Sequence, residues 1–245
     1  MIWLDGVTKR FGPRTVLNRL ELRVPNEKVT VVLGGSGHGK STILKLIVGF
    51  IHPEEGRILI DGHNVLEMSD DDRLEVQKQI GMSFQYSALF DSMTVFDNCA
   101  FPLREHTRLT EPEIRERVEA MLERLGLEGA GDKMPSDLSG GMKKRVGVVR
   151  AIMLQPKIML FDEPESGLDP ITTTSIGELI MEMRDSFNIT CLVISHHLEN
   201  TMMIADKVCM LYNGNIIAEG TPDALRANPN PVLQQFLHGR SEGPY

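Results

Sequence analysis

The segment Gly34-Gly35-Ser36-Gly37-His38-Gly39-Lys40-Ser41 restricts what this chain can fold into more than any other. It has the spacing G-x-x-x-x-G-K-[ST]. The apolar run Val29 to Leu33 precedes it, and helical spacing through Ile43, Leu44, Ile47 and Val48 follows. Such a run reads as a buried parallel strand, so the loop joins strand to helix. Glycines let successive backbone N–H groups turn toward phosphate oxygens, and the helix N-terminus adds favourable partial charge. A lysine in this place reaches β- and γ-phosphates, and the Ser41 hydroxyl helps hold Mg²⁺. A dinucleotide fingerprint would need a third glycine where Lys40 stands.

Strands and helices alternate around this loop. Ile2 to Val7 and Thr15 to Val24 alternate as strands, with Phe11-Gly12-Pro13 as the break. Ile58 to Ile60 followed by Asp61-Gly62 predicts a hairpin, and Ser69 with Asp70, Asp71 and Asp72 a capped helix start. Ile80 to Phe84 is a strand ending at Gln85. From Tyr86 to Asp137 helical signals replace it, including the capping box Thr110-Glu111-Pro112-Glu113. Then come a strand over Lys157 to Phe161, a helix over Ile171 to Phe187 and a strand over Ile189 to Ser195. A helix over Leu198 to Ala205, a hairpin turning at Asn213-Gly214 and a short helix opened by Thr221-Pro222 complete the pattern. Strands separated by helices imply an α/β fold with a mostly parallel sheet. The expectation is a core of residues 1–85 and 138–245 with an N-terminal antiparallel β subdomain, and an inserted α-helical subdomain over 86–137.

Ile158-Met159-Leu160-Phe161-Asp162-Glu163 is an apolar strand ending in two carboxylates, at the sheet edge where α/β proteins bind ligands. Asp162 is placed to bind Mg²⁺, mainly through a water, and Glu163 to orient or deprotonate an attacking water. Leu138-Ser139-Gly140-Gly141-Met142 supplies a helix cap and two glycines that open the first N–H groups to an anion. Composition narrows the rest. With 26 Lys+Arg against 34 Asp+Glu the net charge is −8, which argues against a general nucleic-acid binder. Cys99, Cys191 and Cys209 show no metal-ligand spacing and are expected as buried reduced thiols. No stretch approaches 18 apolar residues and the first residues lack signal-peptide features, so any work at a membrane is expected from the cytosolic side through a partner.

Together these segments resemble the nucleotide-binding subunit of ABC transporters over nearly the whole chain. Gln85 matches that family's glutamine loop, Ser166-Gly167-Leu168-Asp169 its D-loop, His196 its switch histidine and Phe11 its adenine-stacking aromatic. The resemblance implies a phosphate-loop NTPase fold with a RecA-like sheet, in which two subunits face head to tail. ATP then lies between the phosphate loop of one chain and the Ser-Gly-Gly motif of the other. Nucleotide contacts would fall on Phe11, Gly34, Gly35, Ser36, Gly37, His38, Gly39, Lys40, Ser41, Thr42, Gln85 and Asp162, with Ser139, Gly140 and Gly141 serving the partner's nucleotide. Mg²⁺ would be held from Ser41, Gln85 and Asp162, and Glu163, His196 and Lys40 would act in hydrolysis.

Met142, where most such subunits have glutamine, makes the motif similar to that of Mce-type phospholipid transporter ATPases. So does the segment Gln85 to Asp91, with Val95 to Asn98 and Phe101 to Thr107 behind it. That resemblance implies a peripheral position on the cytoplasmic side of a bacterial inner membrane, phospholipid transport, and three partners besides a second copy. These are a membrane permease docked in a groove near Leu89, Phe90 and Phe96, a small STAS-domain regulator and an Mce-domain protein. The alternatives are an amino acid or drug transporter subunit and a soluble ABC ATPase. Glu165 stands where that family commonly has threonine.

Overall fold

The computed structural model describes all 245 residues. The chain runs β1 (Ile2–Phe11), β2 (Arg14–Val24), β3 (Val29–Leu33), α1 (Lys40–Ile47), β4 (Glu55–Ile60), β5 (His63–Asn64), α2 (Asp70–Lys78) and β6 (Ile80–Ser83). The helical stretch holds α3 (Val95–His106) and α4 (Glu111–Arg124), and a 3-10 turn over Pro135–Asp137 leads into α5 (Gly140–Ile152). There follow β7 (Ile158–Asp162), α6 (Pro170–Phe187), β8 (Thr190–Ser195), α7 (Leu198–Ile204), β9 (Lys207–Tyr212), β10 (Asn215–Gly220), α8 (Pro222–Ala227) and α9 (Pro231–Leu237).

Two sheets result. An antiparallel one has the order β2-β1-β4-β5, and a six-stranded one the order β10-β9-β3-β8-β7-β6. In the larger sheet every neighbouring pair is parallel except β9 with β10. Alternation along its strands sends side chains to two separate cores. Val29, Val31, Leu33, Met159, Phe161, Cys191 and Val193 face one; Val32, Leu160, Leu192, Ile194 and Leu211 face the other. The second core is closed by α1 and the antiparallel sheet, through Ile43, Leu44, Leu4 and Leu22. The first is closed by helices and is continuous with the apolar faces of α3, α4 and α5. Helical residues 95–124 therefore share a core with the main sheet through α5, against which α3 packs.

Local chemistry sets the element ends. Ser69, Thr94, Ser139 and Asp169 side chains accept N–H groups at the starts of α2, α3, α5 and α6. Thr110 and Glu113 form the reciprocal cap of α4. The β9–β10 turn uses Asn213 (φ 47°) and Gly214 (φ 79°), as a two-residue hairpin requires. Its Gly214 carbonyl accepts from Asn18 N–H at 3.0 Å, joining the two sheets beside the phosphate loop. The sequence pattern did not announce α9, whose cap is Asn230. All three cysteines are free and buried, and burial pushes each thiol up to about 12. No helix is long and apolar enough to cross a membrane.

Candidate active site

The loop between β3 and α1 holds Gly37 at φ 78° and Gly39 at φ 99°, a region that favours glycine. A Cβ on Gly39 would meet Val16 Cγ1 at 2.8 Å, and one on Gly34 the Leu211 carbonyl oxygen at 2.5 Å. Helix α1 lacks the side-chain cap that α2, α3, α5 and α6 have, and its first turn holds no acidic residue, unlike those of α2 and α3. Its leading N–H groups are thus left for an external anion. Lys40 is buried, and its ammonium donates to the carbonyls of Gly34 (2.8 Å) and Gly35 (3.1 Å).

Strand β7 lies between β6 and β8, and its C-terminal end brings two carboxylates to this loop. Asp162 Oδ1 accepts from the Ser41 hydroxyl at 2.9 Å. Burial pushes the Asp162 carboxyl above the usual range, partly offset by the Ser41 hydrogen bond. Glu163, in a left-handed conformation (φ 45°), is a meeting point. Its Oε1 lies 3.5 Å from Lys40 Nζ and 3.4 Å from His196 Nδ1. Its Oε2 accepts from Gln85 Nε2 at 3.2 Å. Residues just beyond the ends of β6 and β8 and at the start of α1, 40 to 196 in sequence, thus converge on one carboxylate just beyond β7. A Mg²⁺ ion fits the donors beside it. Ser41 and Asp162 offer hard oxygens in contact with each other next to a phosphate cradle, the arrangement in which Mg²⁺ keeps waters and takes phosphate oxygens. No cluster of three His, Cys, Asp or Glu side chains forms an all-protein cage.

Phe11 ends β1 exposed, with Lys9 Nζ 5.3 Å from its ring centroid. A cavity of about 390 Å³ is bounded by Arg14, Thr15, Ser36, His38 and Asn213. Arg14, which the sequence pattern gave no reason to select, donates to Gly37 O at 3.1 Å. His38 accepts from Asn213 N–H at 3.4 Å and stacks on Tyr245, the rings 3° from parallel. Burial and then the nearby Lys40 and Arg14 charges lower the His38 pKa, favouring the neutral ring. Tyr245 also approaches Gly35, where a Cβ would lie 2.1 Å from its hydroxyl.

Ser139 and Gly140 are exposed at the start of α5, beside the D-loop segment. Gly140 faces Leu168, and a Cβ on Gly141 would meet Thr172 Cγ2 at 2.7 Å. Ser139 Oγ accepts from Met142 N–H at 3.3 Å. Further along α5, Lys144 donates to the carbonyls of Gln85 and Glu163, and Arg150 to those of Ser87 (2.9 Å) and Ala88 (2.7 Å). Neither basic residue stood out in the sequence, because their targets are backbone carbonyls distant in the chain.

An apolar groove of about 580 Å³ is lined by Phe50, Leu74, Phe84, Phe90, Phe101 and Leu154 among others. Phe50, Leu74 and Phe90 are exposed. Of the three residues expected to anchor a permease, only Phe90 lines it. Leu89 and Phe96 pack on the main core instead. The Phe96 ring lies under Arg115, 4.7 Å away, so helix packing and cation–π contact claim it.

The family model described as ABC transporter matches residues 17–166. The Escherichia coli (strain K12) protein named intermembrane phospholipid transport system ATP-binding protein MlaF is 46% identical over 244 residues, covering 100% of this chain and 91% of that one. The Mycobacterium leprae protein named probable ribonucleotide transport ATP-binding protein mkl is 42% identical over 243 residues, covering 99% and 70%. Among solved structures, the dimeric post-hydrolysis state of the ATP-binding cassette MJ0796 bound to ADP and Pi superposes with a TM-score of 0.83. It is 28% identical and covers 91% of this chain and 99% of that one.

Proposed function

The chain belongs to the ABC transporter family and is an ATPase, and from that premise we propose that it powers phospholipid transport between membranes. The convergence of Lys40, Gln85 and His196 on Glu163 carries the hydrolytic part of this reading. ATP lies with its phosphates on the N–H groups of the loop and of α1, and Lys40 turns from the Gly34 and Gly35 carbonyls to the β- and γ-phosphates. Phe11 stacks on adenine, and Arg14 stiffens the loop beneath. Glu163 takes a proton from water as its oxygen bonds to the γ-phosphorus and the bond to the β–γ bridging oxygen breaks. Gln85 aligns that carboxylate, and His196 holds the γ-phosphate. Mg²⁺, when bound by Ser41, Asp162 and Gln85, neutralises charge on the phosphate oxygens. Such positioning and charge stabilisation are what phosphoryl transfer needs.

Ser139, Gly140 and Gly141 serve the nucleotide of a second copy. The exposure of Ser139 and Gly140 supports this, as does the dimeric state of the MJ0796 cassette. ATP then favours the closed dimer, and hydrolysis removes that differential affinity. The groove at Phe50, Leu74 and Phe90 receives a short cytoplasmic helix of a permease, since apolar side chains exposed together are otherwise costly. The helical segment 86–137 forms the subdomain that a STAS-domain regulator binds, and an Mce-domain protein completes the assembly on the cytoplasmic face of an inner membrane. The name of the Escherichia coli relative supports the lipid cargo. The test is transfer of a fluorescent phospholipid between liposomes by the purified assembly. ATP-dependent transfer is expected, lost with Glu163→Gln. Phe90→Asp should release the subunit from the permease while ATP binding persists. ATP turnover stimulated by ribonucleotide and not by phospholipid would overturn the cargo assignment.

A further inference from the structure

Glu165 is fully buried, an uncommon environment for a carboxylate. Its Oε1 accepts from the Ser195 hydroxyl, itself 1% exposed at the end of β8. Ser195 Oγ in turn accepts from the His197 backbone N–H at 2.9 Å. These bonds bracket His196, whose imidazole stands 3.4 Å from Glu163. Oε2 of Glu165 has no hydrogen-bond partner. The cation whose field it shares is Lys144, also buried, which donates to the carbonyls of Gln85 and Glu163. The Glu165 carbonyl accepts from Leu168 N–H at 3.1 Å, and Ser166 N–H donates to Glu163 O at 3.0 Å. Glu165 thus sits in the tight turn linking the catalytic carboxylate to the D-loop, and its side chain is the tie from that turn to the strand carrying the histidine.

We propose that Glu165 is a positioning residue for hydrolysis: through Ser195 it fixes the backbone turn on which His196 faces Glu163. The inference rests on the catalytic reading given above and adds to it a residue that touches neither nucleotide nor water. A carboxylate suits the place for two reasons. It is long enough to reach Ser195 from the turn, and its charge, together with those of Asp162 and Glu163, offsets that of the buried Lys144. When the hydroxyl bond holds, His197 N–H stays satisfied and the turn keeps one shape; without it, His196 samples several.

The assembled transporter carrying Glu165→Ala, Glu165→Gln or Ser195→Ala provides the test, with kcat and KM for ATP measured alongside the melting temperature. Glu165→Ala and Ser195→Ala are each expected to lower kcat roughly tenfold, the scale of losing an orienting partner, with KM nearly unchanged. The double variant should be no worse than the poorer single one, and Glu165→Gln, which keeps an oxygen for Ser195, should recover most of the rate. In a His196→Ala background neither Ala substitution should lower kcat further. Multiplying losses, a further loss in that background, or an unchanged kcat in Ser195→Ala would overturn the proposal. The last variant keeps the assay decisive if Glu165→Ala fails to fold. If His196→Ala and Glu163→Gln themselves turn over normally, the catalytic reading fails; if they do not but the Ser195 and Glu165 variants do, this inference alone fails.

Discussion

Two helices in this chain begin on glycine-rich loops, and they are built oppositely. Helix α1 opens after Gly39 with no side-chain cap, a buried lysine and two carboxylates at hand. Helix α5 opens after Ser139, which caps it from within, in an exposed position beside Leu168 and Thr172. An uncapped N-terminus lined by its own chain makes a pocket for an anion in the same subunit. A capped, exposed one is stabilised by its own serine and offers its remaining donors outward. Under the proposed dimer, the difference means that one chain holds two unlike halves of a phosphate site, each completed by the other copy.

The strongest way to break that contrast is at Glu163. Glu163→Gln is expected to lower turnover about 10²- to 10⁴-fold, as loss of a general base does, while a fluorescent ATP analogue still binds and gel filtration shows a closed dimer accumulating. Ser139→Ala should lower turnover about 10²-fold, the scale of one lost donor. Its isolated subunit should bind nucleotide as before and lose about 1 kcal/mol of stability with the cap. Lys40→Ala does the reverse, weakening nucleotide affinity of the single subunit roughly 10- to 100-fold for a lost charge-assisted contact. Mixing the two sharpens the comparison, because a Ser139→Ala and Lys40→Ala heterodimer has one site with both parts intact. Recovered turnover on mixing is expected, and none would show that the halves do not serve each other.

A smaller effect concerns Asp162. Its folded-state pKa is raised by burial, so the folded chain holds a proton that the unfolded one has released over the window just above the ordinary carboxylate range. Stability from this group is present below that window and is lost as pH rises through it. In metal-free protein Asp162→Asn should therefore raise the melting temperature at neutral pH and leave it unchanged in acid, while Mg²⁺-dependent turnover falls. A scan of melting temperature against pH reads the sign.

Much of this was legible in residue order. The phosphate loop, Asp162 and Glu163 lie in contiguous segments whose spacing is itself the chemistry, and caps such as Ser69 and Thr110 announce the helices that begin at the next residue. Other features were hidden for a physical reason. Arg14, Lys144 and Arg150 act on backbone carbonyls 19 to 63 residues away, and a carbonyl leaves no mark in a sequence. Phe90 and Phe96 are the same residue type six positions apart, yet one lines the groove and the other lies beneath Arg115.

Sequence by itself determined that a parallel sheet would present a phosphate cradle and two carboxylates at one edge, because strand periodicity, turn glycines and helix caps are local properties. Only the tertiary structure decided which side chains meet. The ordering of β6, β7 and β8 sets Gln85, Glu163 and His196 side by side, and the packing of β8 against the turn after β7 buries Glu165 on Ser195. Local preference chooses an element, whereas distance between elements is fixed by how two cores fill on either face of one sheet.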